Sequence, residues 1–245
     1  QRIGQAIADF QRFESQLKKT VCYNCPHLNE CLQKERRIVS SRRAYENLTE
    51  EVSRIESYHP EQVKRRLNFL KSLGYIDTGR LSSKGRVAAW VYGYELQTTE
   101  MLFGGFFDLI DEDQINILAT AIIFESRETD WYRPAPQSLL SDVFYRDDKY
   151  LQQLKQREKL FGIKGIQIKS LDASLTSAIY AWSKEKCEFD DLVKYTNTAE
   201  GDLVRAFRMS IDLLRQIQRA IAGNSQILEK LELSIKKINR EVVDA

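Results

Sequence analysis

Residues 198–222, TAEGDLVRAFRMSIDLLRQIQRAIA, have the pattern of one long amphipathic helix. Apolar residues recur there at steps of three and four, which places them on one face. They are Leu203, Phe207, Ile211, Leu214 and Ile221. Because this face must be covered by other apolar surface, we expect the helix to lie in the core of a helical bundle.

The same stretch carries a second row of side chains, which are arginines. At about 100° per residue, they share a face about a third of a turn from the apolar one. They are Arg205, Arg208, Arg215 and Arg219, interrupted only by Asp212. Guanidinium groups in a row suit a phosphate backbone or stacked bases. A solvated outer face with salt bridges is the alternative interpretation.

The composition limits the classes of function. With 37 basic and 35 acidic residues the net charge is only +2, so any nucleic-acid site must be local. The 11 glycines and 4 prolines are few, which favours a mainly helical fold. No membrane span or signal peptide is predicted, and four cysteines do not form a disulfide scaffold. We therefore expect a cytoplasmic protein with no membrane partner.

Two apolar heptad rows lie near the start of the sequence. The first follows residues 1–21 and the second follows residues 32–57. Two such rows joined by a short turn predict an antiparallel, coiled-coil-like helical arm over residues 1–57. Two core helices of a bundle are the alternative.

The turn between these helices has the sequence Cys-x-x-Cys-Pro-His-x-x-x-Cys. Its possible metal ligands are Cys22, Cys25, His27 and Cys31. Zinc or an iron–sulfur cluster needs such ligands within tetrahedral reach, but no second Cys-x-x-Cys or His-x-x-x-His pair is present. Small buried thiols that close a helix turn are the favoured interpretation. We therefore expect no metal cofactor in this chain, and zinc is not the favoured interpretation of the turn.

Residues 58–86 change in character. A helix is predicted to open at His59 and Pro60, with basic side chains at 64–71, and two short strands then flank Thr78 and Gly79. Helix and hairpin together resemble the last helix and wing of a winged-helix unit. Because the two preceding helices are missing, a structural winged helix with a large insertion is favoured over one that reads DNA.

Residues 87–245 are predicted to form a helical bundle. Residues 84–107 have the pattern of a continuous helix that ends at Gly104 and Gly105. Its expected core residues are Val87, Trp90, Val91, Tyr94 and Met101. Asp111 and Gln114 then predict a capping box for the next helix.

Glu125 follows that next helix directly. A carboxylate at a helix C-terminus is disfavoured by the dipole, so a cation or a nucleobase donor is expected to hold it. An exposed glutamate without such a partner is the alternative.

Three segments, taken together, resemble a known family. They are LSSKGRVAAW (81–90), LQTTEMLFGGFFDLIDEDQINILATAIIFE (96–125) and AEGDLVRAFRMSIDLLRQI (199–217). They resemble the C-terminal DSHCT region of superkiller-type, exosome-associated DExH-box RNA helicases, in the same order. The resemblance covers residues 60–245 well. Residues 1–57 resemble, more loosely, the returning arm of the stalk that these helicases insert into their winged-helix domain.

The resemblance implies roles for particular residues. In the family, a long ratchet helix lines the RNA path, and its Glu-Gly-x-x-x-Arg-x-x-Arg pattern matches Glu200, Gly201, Arg205 and Arg208. Glu125 corresponds to a glutamate that lies near RNA bases, although IIFE departs from the family's Phe-x-Phe-x-Glu. Two further basic residues fall in the wing-to-bundle joint, where the resemblance implies docking to the ATPase core or phosphate contact. These are Lys84 and Arg86.

The family often carries a Cys-x-x-Cys-Pro at the end of this arm, without metal, although Cys31 departs from that pattern. The sequence has no Gly-x-x-x-x-Gly-Lys-Ser/Thr loop and no Asp-Glu-x-His, so no catalytic residue is predicted. ATP and Mg2+ are expected in motor domains upstream of Gln1. The expected partners are single-stranded RNA, those motor domains and an RNA-decay nuclease complex.

The sequence thus predicts the RNA-guiding C-terminal portion of an ATP-dependent 3′-to-5′ RNA helicase. The alternative is a non-catalytic helical module that docks a protein partner through its N-terminal hairpin. The near-neutral charge and the heptad rows favour this alternative.

Overall fold

The computed structural model describes residues 2–163, 168–221, 223 and 225–244. The chain folds as two compact units, Gln1–Glu61 and Gln62–Ala245. Nearly all of the regular structure is helical, and a single two-stranded sheet is present among the described residues. The mainly α fold expected from the scarcity of glycine and proline is therefore confirmed. Among these residues, no helix combines the length and apolar content that a membrane crossing requires.

The first unit contains helix α1 (Arg2–Lys18) and most of helix α2 (Leu28–Ser72). The heptad rows correctly predicted the two helices. Their apolar side chains are exposed, however, and form no core within this unit. They include Phe10, Leu17, Ile38, Tyr45, Leu48, Val52 and Ile55. Coiled-coil packing of the arm stays a prediction.

Helix α2 runs without a break through Pro60, so the expected new helix at His59 and Pro60 is wrong. Proline fixes φ near its helical value and removes one backbone donor. A helix of 45 residues absorbs the loss of that single hydrogen bond.

The thiols of the cysteine turn do not form the small buried cluster that the sequence favoured. Cys22 and Cys31 are exposed and Cys25 is half-buried, and all three are free. Within the described ranges, no three His, Cys, Asp or Glu side chains are placed to hold a metal ion.

A short hairpin begins the second unit. Strands β1 (Ile76–Asp77) and β2 (Arg80–Leu81) pair antiparallel, with Ile76 opposite Leu81. Thr78 and Gly79 form the turn at φ values of 46° and 80°, the left-handed conformation that a two-residue hairpin loop requires. The predicted hairpin is confirmed, while its membership in a winged-helix unit stays a prediction.

The predicted continuous helix over 84–107 is wrong, because three short helices replace it. They are α3 (Ser83–Ala88), α4 (Glu95–Phe103) and α5 (Phe106–Leu109). The chain turns between α3 and α4, where Gly93 adopts a φ of 86° that strongly favours glycine. This turn leaves Trp90 exposed rather than in the core, whereas Val87, Val91 and Met101 are buried as expected and Tyr94 is half-buried.

Five longer helices and two 3-10 segments complete the bundle. The helices are α6 (Glu112–Ile123), α7 (Gln137–Leu160), α8 (Thr176–Ser183), α9 (Glu200–Ala220) and α10 (Ser225–Ile238). The 3-10 segments are Phe189–Lys194 and Glu241–Val243. Helix α6 lies at the centre and packs on α8, α9 and α10. Its N-terminus carries the capping box predicted from Asp111 and Gln114.

Helix α9 buries the apolar face that its sequence predicted. Leu203, Phe207, Ile211 and Leu214 are all 3% exposed or less, and Ile221, just beyond the helix end, is half-buried. The polar face therefore points away from the core. It is this face that forms one wall of the candidate site.

One buried carboxylate holds α6 to α8 and α10. Asp113 is 1% exposed and accepts a hydrogen bond of 2.5 Å from Ser183. Its other oxygen lies 2.5 Å from the Lys184 ammonium and 3.0 Å from that of Lys237. Burial by itself raises the pKa of Asp113, but the bonds from Lys184, Ser183 and Lys237 outweigh it, and the pKa is lowered.

A carboxyl group whose pKa is lowered by folding stabilises the folded state above its unfolded pKa. That contribution is lost as the pH falls from about 3.8 through the folded pKa. We expect urea unfolding curves to show an acid-induced loss of stability that is smaller in Asp113→Asn. Asp191→Asn is the matched control, because the exposed Asp191–Lys194 pair contributes little. Equal acid sensitivity of Asp113→Asn and the unaltered chain would contradict this assignment.

Candidate nucleic-acid interface

A groove of about 290 Å³ lies between α9 and the loop that follows α6. Its walls mix aromatic, apolar and charged side chains. The residues are Tyr94, Ile123, Phe124, Glu125, Arg127, Asp130, Lys169, Thr198, Asp202, Arg205, Ala206 and Met209. All of them belong to the second compact unit.

The loop of residues 124–136 is fixed against the segment that precedes α9. Tyr132 and Thr196 form an isolated antiparallel bridge, and the Arg133 amide donates to the Tyr195 carbonyl over 2.7 Å. Asp130 accepts a hydrogen bond of 3.3 Å from the Thr198 hydroxyl. These bonds hold the loop beside the first turn of α9, so the groove has two walls with a defined separation.

Glu125 projects into the groove just beyond the end of α6. Its carboxylate forms an ion pair with the Lys169 ammonium, and both side chains are substantially exposed. The hydrogen bond with Glu125 raises the pKa of Lys169. The cation that the sequence led us to expect at this carboxylate is therefore present, and it comes from a residue 44 positions away.

A second ion pair joins the loop to α9. Arg127 lies 2.9 Å from the Asp202 carboxylate, in the first turn of the helix. An acidic residue there is also favoured by the helix dipole. Both residues line the groove, and the pair engages the guanidinium of Arg127.

Arg205 lines the same groove as Glu125, and it is exposed. Among the described residues, neither a hydrogen bond nor an ion pair engages its guanidinium. Its donors are therefore available to a ligand in the groove. The structure thus brings together two of the residues that the sequence singled out, Glu125 and Arg205.

Arg208 points elsewhere. Its guanidinium donates to the carbonyls of Val242 and Asp244 over 2.9 and 3.0 Å, and more weakly to that of Val243. It thereby anchors the C-terminal 3-10 segment on α9. The row of four arginines is thus divided, because Arg205 faces the groove while Arg208 is engaged by the protein itself.

The remaining candidates lie outside the groove. Glu200 and Arg219 are exposed at opposite ends of α9, and Arg215 is half-buried. Lys84 is directed inward, where it forms an ion pair of 2.5 Å with the buried Glu100 and donates to the Leu73 carbonyl. Arg86 donates to the Leu81 carbonyl of the hairpin. A docking or phosphate-binding role for Lys84 and Arg86 stays a prediction.

Among the groove residues that the sequence did not single out for the site are Tyr94, Arg127 and Lys169. The Lys169 ammonium lies 6.0 Å from the centroid of the Tyr94 ring, so the two share the wall that holds Glu125. Nothing in the local pattern around Lys169 signals this role, since its partner comes from a distant part of the chain. The apolar spacing predicts Tyr94 as a core residue. In the structure it is half-buried and lines the groove.

The groove is charged but close to neutral. Its cations, Arg127, Lys169 and Arg205, are matched by the carboxylates of Glu125, Asp130 and Asp202. Such a surface binds poorly to a bare polyanion, because it supplies little net positive field. Paired acceptors and donors beside Phe124 and Met209 instead suit a planar group with polar edges, such as a nucleobase.

The family profile described as "DSHCT (NUC185) domain" matches residues 78–245. The chain is 27% identical over 241 residues to the ATP-dependent RNA helicase mtr4 of Schizosaccharomyces pombe, covering 94% of this chain and 21% of that protein. It is 24% identical over 255 residues to the Exosome RNA helicase MTR4 of Homo sapiens, covering 100% and 24% respectively. Over 256 residues it is 22% identical to the Antiviral helicase SKI2 of Saccharomyces cerevisiae, covering 100% and 20%.

The chain thus spans a quarter or less of the length of these relatives. Their names agree with the resemblance drawn from the three sequence segments, which is therefore confirmed. The profile match contains the hairpin turn, all of the bundle helices and the whole candidate groove. The chain belongs to the DSHCT (NUC185) domain family, as a part related to the Mtr4 and Ski2 RNA helicases.

Proposed function

We propose that this chain guides single-stranded RNA along the groove between α9 and the loop after α6, as part of an ATP-dependent RNA helicase. The observation that carries the proposal is the placement of Arg205 and Glu125 on one groove, where no described residue engages the Arg205 guanidinium. A guanidinium donates to base acceptors and stacks on base faces, and a carboxylate accepts from base amino groups. Helix α9 then acts as the ratchet helix that the family resemblance implies.

The motor is proposed to lie elsewhere in the same polypeptide. Two of the relatives named above are called an ATP-dependent RNA helicase and an exosome RNA helicase, and the third is called an antiviral helicase. We propose that ATP and Mg2+ bind those motor domains, that translocation runs 3′ to 5′, and that an RNA-decay nuclease complex receives the strand. Residues 58–86 would then be the end of a winged-helix unit, and residues 1–57 the returning part of a coiled-coil stalk.

Arg205→Glu tests the groove directly. The substitution removes the groove's unengaged donors and places a carboxylate near Glu125, so we expect at least about a tenfold loss of affinity for single-stranded RNA. Fluorescence anisotropy of a labelled oligoribonucleotide at several salt concentrations measures it. The unfolding midpoint should stay unchanged, because Arg205 is exposed and makes no contact that folding needs.

Two further variants make that result specific. Lys186→Glu changes the charge equally at an exposed site outside the groove and should bind RNA like the unaltered chain. Arg219→Glu separates the groove from the arginine row: if it weakens binding as much as Arg205→Glu, the whole row carries the strand. If Arg205→Glu binds as tightly as the unaltered chain, the proposal fails.

Gly201 offers an independent test. It lies one turn before Arg205, and a Cβ built there would meet nothing within 4 Å. Alanine in the first turn should therefore stabilise the fold by about 0.5–1 kcal/mol. If the strand passes close to the helix backbone here, Gly201→Ala should weaken RNA binding despite that gain. Stability by urea unfolding and affinity by anisotropy are then read on the same protein, and unchanged affinity would place the strand away from Gly201.

Protein docking through the first unit remains a second candidate, because its heptad rows expose large apolar side chains. Exposed apolar stripes of this size commonly mark interaction surfaces. Ile38→Lys with Val52→Lys should then abolish capture of a protein partner while leaving the second unit folded. Capture that survives both this double substitution and deletion of residues 1–57 would exclude the arm as the docking site.

A further inference from the structure

A second, larger cavity of about 930 Å³ adjoins the groove. The two cavities share Phe124, Glu125 and Lys169. The Glu125–Lys169 ion pair therefore forms a common wall between them. Beyond it, the second cavity is bordered by α7 and by residues 168–173.

Two of the three carboxylates that line this second cavity are engaged by the protein, and the third is buried. Asp172 accepts hydrogen bonds from the backbone amides of Ser126 and Ser174, at 2.6 and 2.9 Å. Glu125 is paired with Lys169, and Glu158 is only 6% exposed. These three acidic groups therefore offer a ligand little free negative charge.

Two ammonium groups on α7 are held differently. Lys155 donates to the neutral Ser170 hydroxyl over 2.6 Å, so its positive charge is not compensated by that bond. Lys159 is exposed one helical turn later, on the same side of α7. No carboxylate among the described residues forms a salt bridge with either lysine. They form a short cationic edge on the cavity.

The inner surface of the cavity is mainly apolar. It includes Ile163, Leu171 and Ile168, and Ile168 is 1% exposed. An apolar wall with a cationic edge matches a nucleotide, whose base has an apolar face and whose phosphate is an anion. A bare phosphate would use only the edge, and a peptide would leave both lysines without a matching charge unless it were acidic.

We propose that this cavity is a second subsite for the same single strand of RNA that occupies the groove, and this inference rests on the proposed function. Lys155 and Lys159 contact phosphates there, and a base lies against the apolar wall. The exposed Glu125–Lys169 pair opens when the strand crosses it, because each partner then contacts RNA instead. The strand thus leaves the groove along α7.

The test compares Lys155→Gln/Lys159→Gln with the unaltered 245-residue chain, using labelled oligouridylates of increasing length. Short oligomers that fill only the groove should bind both proteins equally. Longer ones should bind the double variant several-fold more weakly, with a salt slope smaller by about 1.4, or about 0.7 for each lost phosphate contact. Lys149→Gln, exposed on another side of α7, is the matched control and should change neither quantity.

Three outcomes would overturn the inference. Identical titrations of the double variant and the unaltered chain at every length would remove the second subsite, while Arg205→Glu would still decide the groove by itself. An equal loss with the shortest oligomers would place the lysines in the first subsite. If poly-glutamate displaced the labelled RNA as well as unlabelled oligouridylate does, the cationic edge would bind any polyanion rather than RNA. If Arg205→Glu did not weaken the binding of an oligomer of any length, the proposed function would fail instead. That result comes from a different variant, so the two failures can be told apart.

Discussion

Replacing Trp182 with alanine is expected to lower the free energy of unfolding by about 3–5 kcal/mol, the range for removing a large buried aromatic side chain. Trp182 is fully buried in the centre of the second unit. Its ring stacks with Phe207 of α9 at a centroid distance of 6.4 Å and meets Phe189 edge-on at 5.8 Å. Loss of the indole therefore leaves a cavity between α8, α9 and the 3-10 segment.

Two polar contacts add to this packing. The indole nitrogen donates to the Ile238 carbonyl at the end of α10 over 3.0 Å. The Arg240 guanidinium covers the ring at 3.4 Å from its centroid and donates to the Trp182 and Cys187 carbonyls. Trp182→Phe keeps most of the apolar volume but leaves the Ile238 carbonyl without this donor, so a smaller loss of about 1–3 kcal/mol is expected.

Urea unfolding measures both variants. Trp90→Ala is the matched control, because Trp90 is 59% exposed and its removal creates no cavity. We expect its effect to stay below about 1 kcal/mol. If Trp90→Ala and Trp182→Ala cost the same, the core assigned to this unit is wrong.

Local patterns in the sequence were enough for much of the fold. The apolar face of α9, the hairpin at Thr78 and Gly79 and the capping box at Asp111 depend on residues a few positions apart, and all three are confirmed. The errors arose where local preference was weak or was overruled. Pro60 allows a helix to continue although it also favours a helix start, and Gly93 turns a stretch whose apolar spacing predicted one helix.

The candidate site shows the same limit more strongly. Periodicity placed Arg205 on an outer face, and the helix dipole predicted a cation or a nucleobase donor beside Glu125. Neither could name Lys169, which lies 44 residues further along the chain. Nor could a helical pattern separate Arg205 from Arg208, since both lie on one side of α9. Their different roles depend on the C-terminal segment, which returns to α9 only in the folded chain.

That difference gives the second large effect. Arg208→Met is expected to lower the free energy of unfolding by about 2 kcal/mol, because bonds from a charged donor to three C-terminal carbonyls are lost. The methionine keeps much of the aliphatic length, so the loss reports the guanidinium. Val243, a fully buried residue of this segment, should become accessible, and limited proteolysis should then release the C-terminal residues faster.

Arg205→Met is the matched control on the same helix, since it removes the same group from a side chain that anchors nothing. It should leave the unfolding curve unchanged and weaken RNA binding, whereas Arg208→Met should do the reverse while the chain remains folded. Arg208→Met could instead lose RNA affinity although its unfolding curve matches that of the unaltered chain. This result would show that Arg208 leaves the C-terminal carbonyls to contact RNA. The four arginines would then act as one row, and the C-terminal segment would be the element that RNA displaces.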